Sequence, residues 1–390
     1  MERGRITKKY LAAYTGLFLL LACAVFAPFV LADKSLIGNG DGQSQYILQL
    51  ARMGRWLRDA FCGFLHGDFT PARFDFTIGM GDDINAVVRF HPLDFLSVFV
   101  PAAHTEALYN SLSLLRLYLA GISFSVFAFS FRRDTRPLGV LLGSMVYLFT
   151  GYTFSLGIVH PVYLSPLITL PLLLMGAERM MREPQRHRFV LLTLITAVSF
   201  ISNYYFMYIA SVTLLMYVTV RFFQLYKQNR VRSFLLLFVR MASAYLLGVL
   251  LAAWTLFPTL TRYLTSYRSE RITLVSNLLI YSDRRRYLAW ILNLISPLRA
   301  SGNGTHLNFT VLVFPALILL FVKSRKQDLT KERAQERIFL RIASAVLLAF
   351  LLIPFGGYLM AVMNNENNRW VFLIALLLGA VVSFETDELC

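Results

Sequence analysis

The sequence predicts an all-α, polytopic integral membrane protein, a bundle of about ten transmembrane helices with amphipathic helices at the membrane surface. Two observations predict this fold class: 57% of the 390 residues are hydrophobic and only 15% are charged, and long apolar runs recur along the chain. A bilayer core offers no water to peptide groups, so each lipid-facing span must close its own hydrogen bonds as a helix of about 20 residues. This composition excludes an ordinary soluble globular protein.

The net charge of +16 is explained by where the basic residues fall. Of the 38 Lys and Arg residues, 21 lie in five short stretches that alternate with apolar runs, namely 3–9, 132–136, 179–188, 221–232 and 323–337. This alternation is the positive-inside pattern, and it predicts a multi-pass protein of the cell membrane with these stretches and the N-terminus in the cytoplasm. A nucleic-acid-binding protein would instead collect its basic residues on one face.

The predicted spans form one transmembrane domain over residues 1–390. They cover about 10–31, 110–131, 137–153, 160–180, 189–203, 204–224, 234–260, 307–323, 338–356 and 370–384. The first is interpreted as a retained span, not a cleaved signal peptide, because its apolar run is long and lacks a clear cleavage site. The run 189–224 is divided near Asn203, because the basic stretches at both of its ends must lie on the same side.

Two long segments lie on the outer side in this topology, 32–109 and 261–306. The first contains a predicted helix over Gln43–Leu65, since apolar residues recur there at spacings of three and four, with Arg52, Arg55, Arg58 and Asp59 opposite them. Such a helix lies on the membrane surface and does not cross it. The second segment is rich in arginine and aromatic residues.

Carboxylates in the first outer segment are the candidate catalytic groups. Asp41 stands between Gly40 and Gly42, which let the backbone bend and bring the carboxylate close to a ligand. The alternative is that Asp41 caps the helix that follows. Asp94, like Asp75, Asp82 and Asp83, could act as a base or hold a divalent cation, or could simply form turns in a solvated loop.

Arginines on the outer side depart from the positive-inside pattern and are the candidate phosphate ligands. Arg116 lies within a span, and Arg369 follows Asn368 and precedes Trp370. The others in this group lie between the seventh and eighth spans: Arg262, Arg268, Arg271, Arg284, Arg285, Arg286 and Arg299. Arginine binds phosphate in a forked geometry, but such residues would equally attract anionic lipid head groups.

Several catalytic signatures are missing, including the Walker A loop, G-x-S-x-G, H-E-x-x-H and paired C-x-x-C. The sequence therefore does not resemble an ATPase, a hydrolase of that type or a zinc enzyme. The six histidines are scattered, and His160-Pro161 indicates the start of a span more than a metal ligand. We predict no cofactor and no metal, although a divalent cation is compatible with the carboxylates.

An ordered series of short pieces resembles the bacterial YfhO family of membrane proteins, which is grouped with the GT-C glycosyltransferases. The pieces extend over nearly the whole chain: Asp41-Gly42-Gln43-Ser44-Gln45-Tyr46, Gly79-Met80-Gly81, His91-Pro92-Leu93-Asp94, Gly151-Tyr152, Pro171 to Arg179, Ser202 to Tyr208 and Asn368-Arg369-Trp370. Family members are typically longer, so this chain is similar to their N-terminal membrane core.

The resemblance implies a GT-C-like bundle that moves a sugar from a polyprenyl-phosphate carrier to a cell-envelope polymer such as teichoic acid. It implies that Asp41 is the catalytic carboxylate of the first outer loop, and we add Asp94 as a second candidate. The predicted contacts to sugar and lipid phosphate are Gln45, Tyr46, Arg116, Arg284, Arg285, Arg286, Asn368 and Arg369.

The expected partners are the lipid-linked donor, the polymer acceptor and the bilayer, with a further membrane glycosyltransferase or flippase as an optional partner and no nucleic acid. Two alternatives stay open from the residues alone. The first is a transporter or flippase of a lipid-linked saccharide, for which outer arginines and buried polar groups serve equally well. The second is a scaffold without catalytic activity that gathers envelope-assembly enzymes.

Overall fold

The computed structural model describes residues 6–76, 80–84, 90–132, 134–183, 185–227, 230–265, 277–295, 306–322 and 330–389. These ranges form helices almost throughout, with one antiparallel pair of two-residue strands, β1 (Phe74–Asp75) and β2 (Asp82–Asp83). The helices in chain order are α1 (Lys8–Leu31), α2 (Ile47–Leu65), α3 (Thr105–Phe131), α4 (Pro137–Leu148), α5 (Ser165–Arg182), α6 (Arg186–Ser202), α7 (Tyr204–Leu225), α8 (Arg230–Leu251), α9 (Ala253–Leu264), α10 (Arg285–Ile295), α11 (Val313–Phe321), α12 (Lys331–Leu352), α13 (Pro354–Met360) and α14 (Phe372–Leu389). The all-α fold class is confirmed.

Six helical segments in the described ranges are long and apolar enough to cross a membrane. They contain α1, α3, α5, α7, α8 and α14. A seventh span results if α12 and α13, which meet at a bend of 99°, count as one crossing. The chain is therefore a multi-span membrane protein, but the predicted count of about ten spans is not confirmed.

The differences from the predicted spans have local causes. The helices α4 and α11 have only 12 and 9 residues, short of the roughly 20 that a bilayer requires. The predicted span 234–260 is divided at Ala252 into α8 and α9. The predicted span 338–356 bends at Ile353, whose extended backbone is the conformation favoured before Pro354.

The core of the bundle depends on close helix contacts. The hydroxyl of Tyr10 in α1 lies 2.7 Å from Ser125 Oγ in α3, and Tyr14 donates to the carbonyl of Tyr118 at 2.7 Å. At the crossing of α4 and α14, a Cβ on Gly143 would lie 2.4 Å from the carbonyl oxygen of Gly379. Only glycine permits the two backbones to approach this closely, as in other membrane helix pairs.

Asn203 joins α6 to α7 and confirms the predicted division of the run 189–224. Its backbone is extended, with φ −169° and ψ 101°, so both helices end there. Its side-chain Oδ1 accepts from the backbone N–H groups of Tyr205 and Phe206 at 3.2 and 3.4 Å. These are donors that the first turn of a helix otherwise leaves unsatisfied.

The segment that follows α4 contacts the segment that precedes α11. The N–H of Gly151 donates to the carbonyl of Asn308 at 2.8 Å, and Asn308 Nδ2 donates to the carbonyl of Asn293 at 2.7 Å. Backbone polar groups beyond two short helices thus find partners inside the protein. Irregular backbone at membrane depth requires such partners.

One end of the bundle holds a buried ionic group centred on Glu178, which is completely buried. Its carboxylate accepts hydrogen bonds from Arg182 Nε at 2.7 Å, from Arg221 Nε at 3.0 Å and from the hydroxyl of Tyr217 at 2.7 Å. A buried carboxylate is tolerated only when it is paired and hydrogen-bonded in this way. The group ties α5 to α7.

Further ion pairs surround this group, and we call the whole set the charged end. They are Arg132 with Glu388 at 3.0 Å, Arg333 with Asp134 at 2.7 Å and Arg337 with Glu385 at 3.0 Å. The start of α1 lies nearby, since the rings of Tyr10 and Phe129 are 5.2 Å apart.

Described residues from four of the five predicted cytoplasmic stretches therefore meet at the charged end: Arg132, Arg182, Arg221 and Arg333. This common location agrees with the positive-inside pattern. The cytoplasmic location of this end stays a prediction.

Replacing Glu178 by Gln should strongly destabilise the bundle, because Arg221 then stays buried without a neutralising carboxylate. Breaking one side of a buried ion pair costs about 3–5 kcal/mol, so the free energy of unfolding should fall by about that amount. The measurement is unfolding of the purified protein in detergent, followed by circular dichroism.

The matched control is Glu332→Gln. Glu332 also binds Arg182, at 2.8 Å, but its side chain is 63% exposed. An exposed pair contributes about 0–1 kcal/mol. Equal losses in the two variants would contradict a special role of the buried group.

Candidate functional site

A polar cavity of about 540 Å³ lies at the end of the bundle opposite the charged end. The helix α7 connects the two ends, because Tyr204 to Phe206 line the cavity and Arg221 lies in the charged end. The other lining residues are Asp41, Gln45, Tyr46, Phe90, Val162, Tyr163, Phe200, Ile201, Ser202, Asn203, Thr255, Leu256, Thr259 and Arg369. The sequence places these residues in six separate segments, so the cavity exists only in the folded bundle.

Asp41 enters this cavity from a turn just after α1. Gly40 has φ +76°, a conformation that glycine adopts without strain, and Asp41 begins the helical turn Gly42–Tyr46. The side chain makes no capping bond to the backbone, so the alternative of a helix cap is wrong. Its carboxylate instead accepts a bond from Gln45 Nε2 at 2.9 Å, and the side chain is 47% exposed.

His160 lies between Asp41 and Tyr46. Its Nδ1 is 3.8 Å from Asp41 Oδ2 and 3.1 Å from the hydroxyl of Tyr46. The sequence interpretation of His160 as the start of a span missed this contact. The signal was faint, because nothing in the spacing of His160 and Asp41 brings residues 119 positions apart together.

Arg369 supplies the positive charge in the cavity. Its guanidinium carbon lies 5.6 Å from the ring centre of Tyr163 and 5.4 Å from that of Tyr205, which are distances of cation–π contact. Among the described residues no carboxylate forms an ion pair with Arg369. An exposed guanidinium held between two rings and not neutralised is well placed to bind an anion.

The helix α9 forms one wall of the cavity. Thr255 and Thr259, four residues apart, line the cavity, whereas Trp254 and Phe257 do not line it and are exposed. A helix with one polar and one apolar face suits a boundary between an aqueous cavity and lipid.

Asp94 and Arg116 lie in a separate, smaller cavity of about 40 Å³ and form an ion pair with each other. Tyr46 and Val162 line both cavities. The carboxylate of Asp94 therefore neutralises the buried Arg116 and does not line the larger cavity. The role of Asp94 as a second catalytic group stays a prediction.

The remaining predicted contacts do not line the cavity. Arg286 pairs with Glu366 at 2.5 Å, and its guanidinium lies 5.2 Å from the ring of Tyr281. Arg284 and Arg285 are exposed. Asn368 is buried next to Arg369 in the chain. The structure thus unites Asp41, Gln45, Tyr46 and Arg369 in the cavity, and it places the other predicted residues outside it.

The other predicted charged residues of this side have their own placements. Arg262 forms an ion pair with Asp82 of β2. Four residues named from the sequence lie outside the described ranges: Gly79, Arg268, Arg271 and Arg299. In the described part of the chain, no three His, Cys, Asp or Glu side chains gather as a metal ion would require. The absence of a metal from the chemistry stays a prediction.

The comparisons with known proteins agree with this helical architecture. Residues 15–388 match the model of the family described as bacterial membrane protein YfhO. The chain belongs to the YfhO family. A YfhO-family relative, the uncharacterized protein YfhO of Bacillus subtilis strain 168, is 22% identical over 408 aligned positions.

The alignment covers 98% of this chain and 42% of that relative, so the chain spans less than half of the relative's length. No solved structure matches. The family resemblance seen in the sequence is therefore confirmed, and with it a membrane protein.

Acid should destabilise the fold around the smaller cavity through His91. Burial and the nearby positive charge of Arg116 hold the pKa of His91 well below its usual range, so the folded protein keeps this side chain neutral. The unfolded chain binds the proton below about pH 6.5, so stability is highest above that pH and falls as the pH decreases through it.

The variant His91→Asn should lose this part of the pH dependence. The measurement is the thermal unfolding midpoint in detergent at about pH 7.5 and about pH 5.5. His187→Asn, at an exposed histidine, is the control and should keep the wild-type dependence. The same pH dependence in wild type and His91→Asn would contradict the assignment.

Proposed function

We propose that this YfhO-family protein is a membrane glycosyltransferase that moves a sugar from a polyprenyl-phosphate carrier to a cell-envelope polymer such as teichoic acid, on the outer face of the cell membrane. One observation carries the proposal: Asp41 and Arg369, from opposite ends of the sequence, line one polar cavity. A carboxylate and an unneutralised guanidinium are the two groups that transfer from a lipid phosphate needs.

The reaction follows from these two groups. The carboxylate of Asp41 takes the proton of the acceptor hydroxyl as its oxygen attacks the anomeric carbon of the donor. The bond from that carbon to the phosphate oxygen breaks, and the lipid phosphate leaves with the electron pair. Arg369 binds the phosphate and stabilises the negative charge that it gains.

His160 and Gln45 hold the base in place. Gln45 donates to Asp41 Oδ1, and the ring of His160 stands beside Asp41 Oδ2. Contacts at both oxygens restrict the rotation of the carboxylate, so it faces the cavity before the acceptor arrives. Such preorganisation lowers the barrier for the proton transfer.

The apolar outer face of α9 supports access from the membrane. A polyprenyl chain is insoluble in water and must stay in lipid while its head group enters the cavity. Beside Thr255 and Thr259, which line the cavity, α9 exposes the apolar side chains of Trp254, Phe257 and Leu260. The donor would therefore approach past α9.

Asp41→Asn should abolish sugar transfer with little change in folding, because the amide has the volume of the acid but does not accept a proton. Loss of a general base lowers the rate by about 10²–10⁴-fold. Transfer of radiolabelled sugar in vesicles that contain the purified protein measures the effect. Asp33→Asn, at an exposed acid just after α1, is the matched control and should be fully active.

Arg369→Gln should weaken binding of a polyprenyl-phosphate sugar analogue by about ten-fold or more at both low and high ionic strength, a loss of about 1.4 kcal/mol. The triple variant Arg284→Gln, Arg285→Gln, Arg286→Gln should weaken binding only at low ionic strength. None of these three arginines lines the cavity, so they would act on the donor only at long range, which salt screens beyond about 10 Å, whereas Arg369 would bind the phosphate by direct hydrogen bonds.

Equilibrium binding to vesicles at two salt concentrations measures both effects. If the triple variant lost binding independently of salt while Arg369→Gln bound normally, the phosphate site would lie at the start of α10 and not in the cavity.

A transporter or flippase of a lipid-linked saccharide is the second candidate, and one observation favours it. The bend of 99° between α12 and α13 is a broken helix of the kind found at transporter binding sites. The vesicle assay separates the two functions. Movement of the lipid-linked sugar across the bilayer, equal in wild type and Asp41→Asn and without transfer, would favour transport. Neither activity would favour the scaffold.

A further inference from the structure

A second polar cavity, of about 340 Å³, lies in the first long segment between α1 and α3. One wall is formed by α2, with Arg52, Arg55, Trp56, Asp59 and Gly63. The opposite wall comes from residues between α2 and β2 and from Ile84 just after β2. This volume lies within the range of small-ligand sites and is ample for one sugar ring.

The charges of this cavity disfavour an anion. Arg52 and Asp75 form an ion pair, which leaves Arg55 against Asp59 and Asp68, a net charge of about −1 at neutral pH. Asp68 stays ionised, since the N–H and hydroxyl of Thr70 donate to its Oδ1 at 2.9 and 2.5 Å and lower its pKa. A ligand with phosphates would meet repulsion there.

The uncharged groups of the cavity suit a neutral polyhydroxyl ligand. Trp56 is held in position because its indole N–H donates to the carbonyl of Ala72 at 2.8 Å. Its ring also packs edge-to-face against Phe90, with the centres 5.9 Å apart. Ionised carboxylates accept strong hydrogen bonds from hydroxyls, and a fixed aromatic ring packs against the apolar C–H face of a sugar.

The two polar cavities are separated by this aromatic pair. Trp56 lines the second cavity and Phe90 lines the cavity of Asp41. Phe90 also contacts Trp254 of α9, with ring centres 5.0 Å apart. A chain of sugars bound in the second cavity would thus have its next unit at the wall of the first.

We propose that the second cavity binds a neutral saccharide unit of the acceptor, and not the phosphates that a polymer such as teichoic acid carries, through Arg55, Trp56, Asp59 and Asp68. Its assignment to the acceptor rests on the proposed function, whereas the binding of a neutral saccharide does not. The geometry gives the acceptor a place of its own beside the donor and leaves the cationic Arg369 to the lipid phosphate.

Binding of soluble probes to the full-length protein in lipid nanodiscs tests this site. The probes are methyl glucoside and methyl galactoside, with glucose 6-phosphate as the anionic comparator, and the measurement is saturation-transfer-difference NMR. At least one neutral probe should bind, and glucose 6-phosphate should bind at least ten-fold more weakly than that probe. The double variant Asp59→Asn, Asp68→Asn should weaken the neutral probe at least ten-fold.

Two controls make the result specific. Glu106→Gln changes an exposed acid that lines neither cavity and should leave probe binding unchanged. If the double variant unfolds at a lower temperature than wild type, Trp56→Phe replaces it, because phenylalanine keeps an aromatic contact to Phe90 but loses the bond to Ala72. That variant should also weaken the neutral probe.

The outcomes separate this inference from the proposed function. Saccharide binding that survives Asp41→Asn and is lost in the double variant supports the second cavity. No binding of either neutral probe, equal binding in the double variant, or tighter binding of glucose 6-phosphate would each overturn it. If Asp41→Asn lost transfer while the double variant bound normally, only this inference would fail. If probes bound but no transfer occurred, the transferase and the assignment to an acceptor would fail, and the binding of a neutral saccharide would stand.

Discussion

Hydrocarbon offers no hydrogen-bond partners, and the rest of this structure depends on that constraint. The backbone satisfies itself in helices, and the side chains that need polar partners gather at two ends of the bundle. At one end, Glu178 is completely enclosed yet fully paired with Arg182, Arg221 and Tyr217. At the other end, charged groups line open cavities. The charged end binds the helices together, while the cavity end keeps charges accessible to a ligand.

The helix α7 links these two ends, and its residues are held in position at both of them. It starts at Asn203, where one side chain satisfies the first N–H groups of the helix, and its first residues line the polar cavity. About five turns after Asn203, Arg221 is fixed by Glu178. Because both ends of the helix are anchored, Tyr205 has a defined position, and so does the guanidinium of Arg369 that rests on it. A buried ion pair at a distance from the cavity thus contributes to the geometry of the cavity.

The features that depend on the local order of residues could be predicted from the sequence. The break at Asn203, the order of the long helices and the amphipathic helix before residue 65 all follow from hydropathy, capping and charge. The short helices α4 and α11 were predicted as full spans because apolar composition continues past the point where each helix ends. Composition does not reveal that the backbone N–H of Gly151 donates to the carbonyl of Asn308.

Contacts between residues that are far apart in the chain could not be predicted from the sequence. The glycines on both sides of Asp41 predicted a carboxylate brought close to a ligand, but its contacts with Gln45 and His160 and its shared cavity with Arg369 depend on helix packing. The same holds for the ion pair of Asp94 with Arg116. One sequence without an alignment contains no signal that links such residues.

The contact of Gly151 with Asn308 has a consequence for how the protein can be assembled in the membrane. Neither α4 nor α11 is long enough to insert stably by itself, and the polar backbone beyond each would be exposed to lipid until the other arrives. More than 150 residues separate Gly151 from Asn308 in the chain. The segment that contains Gly151 is therefore synthesised well before the segment that satisfies its N–H group. Insertion of this chain is therefore not a simple sequence of independent hairpins.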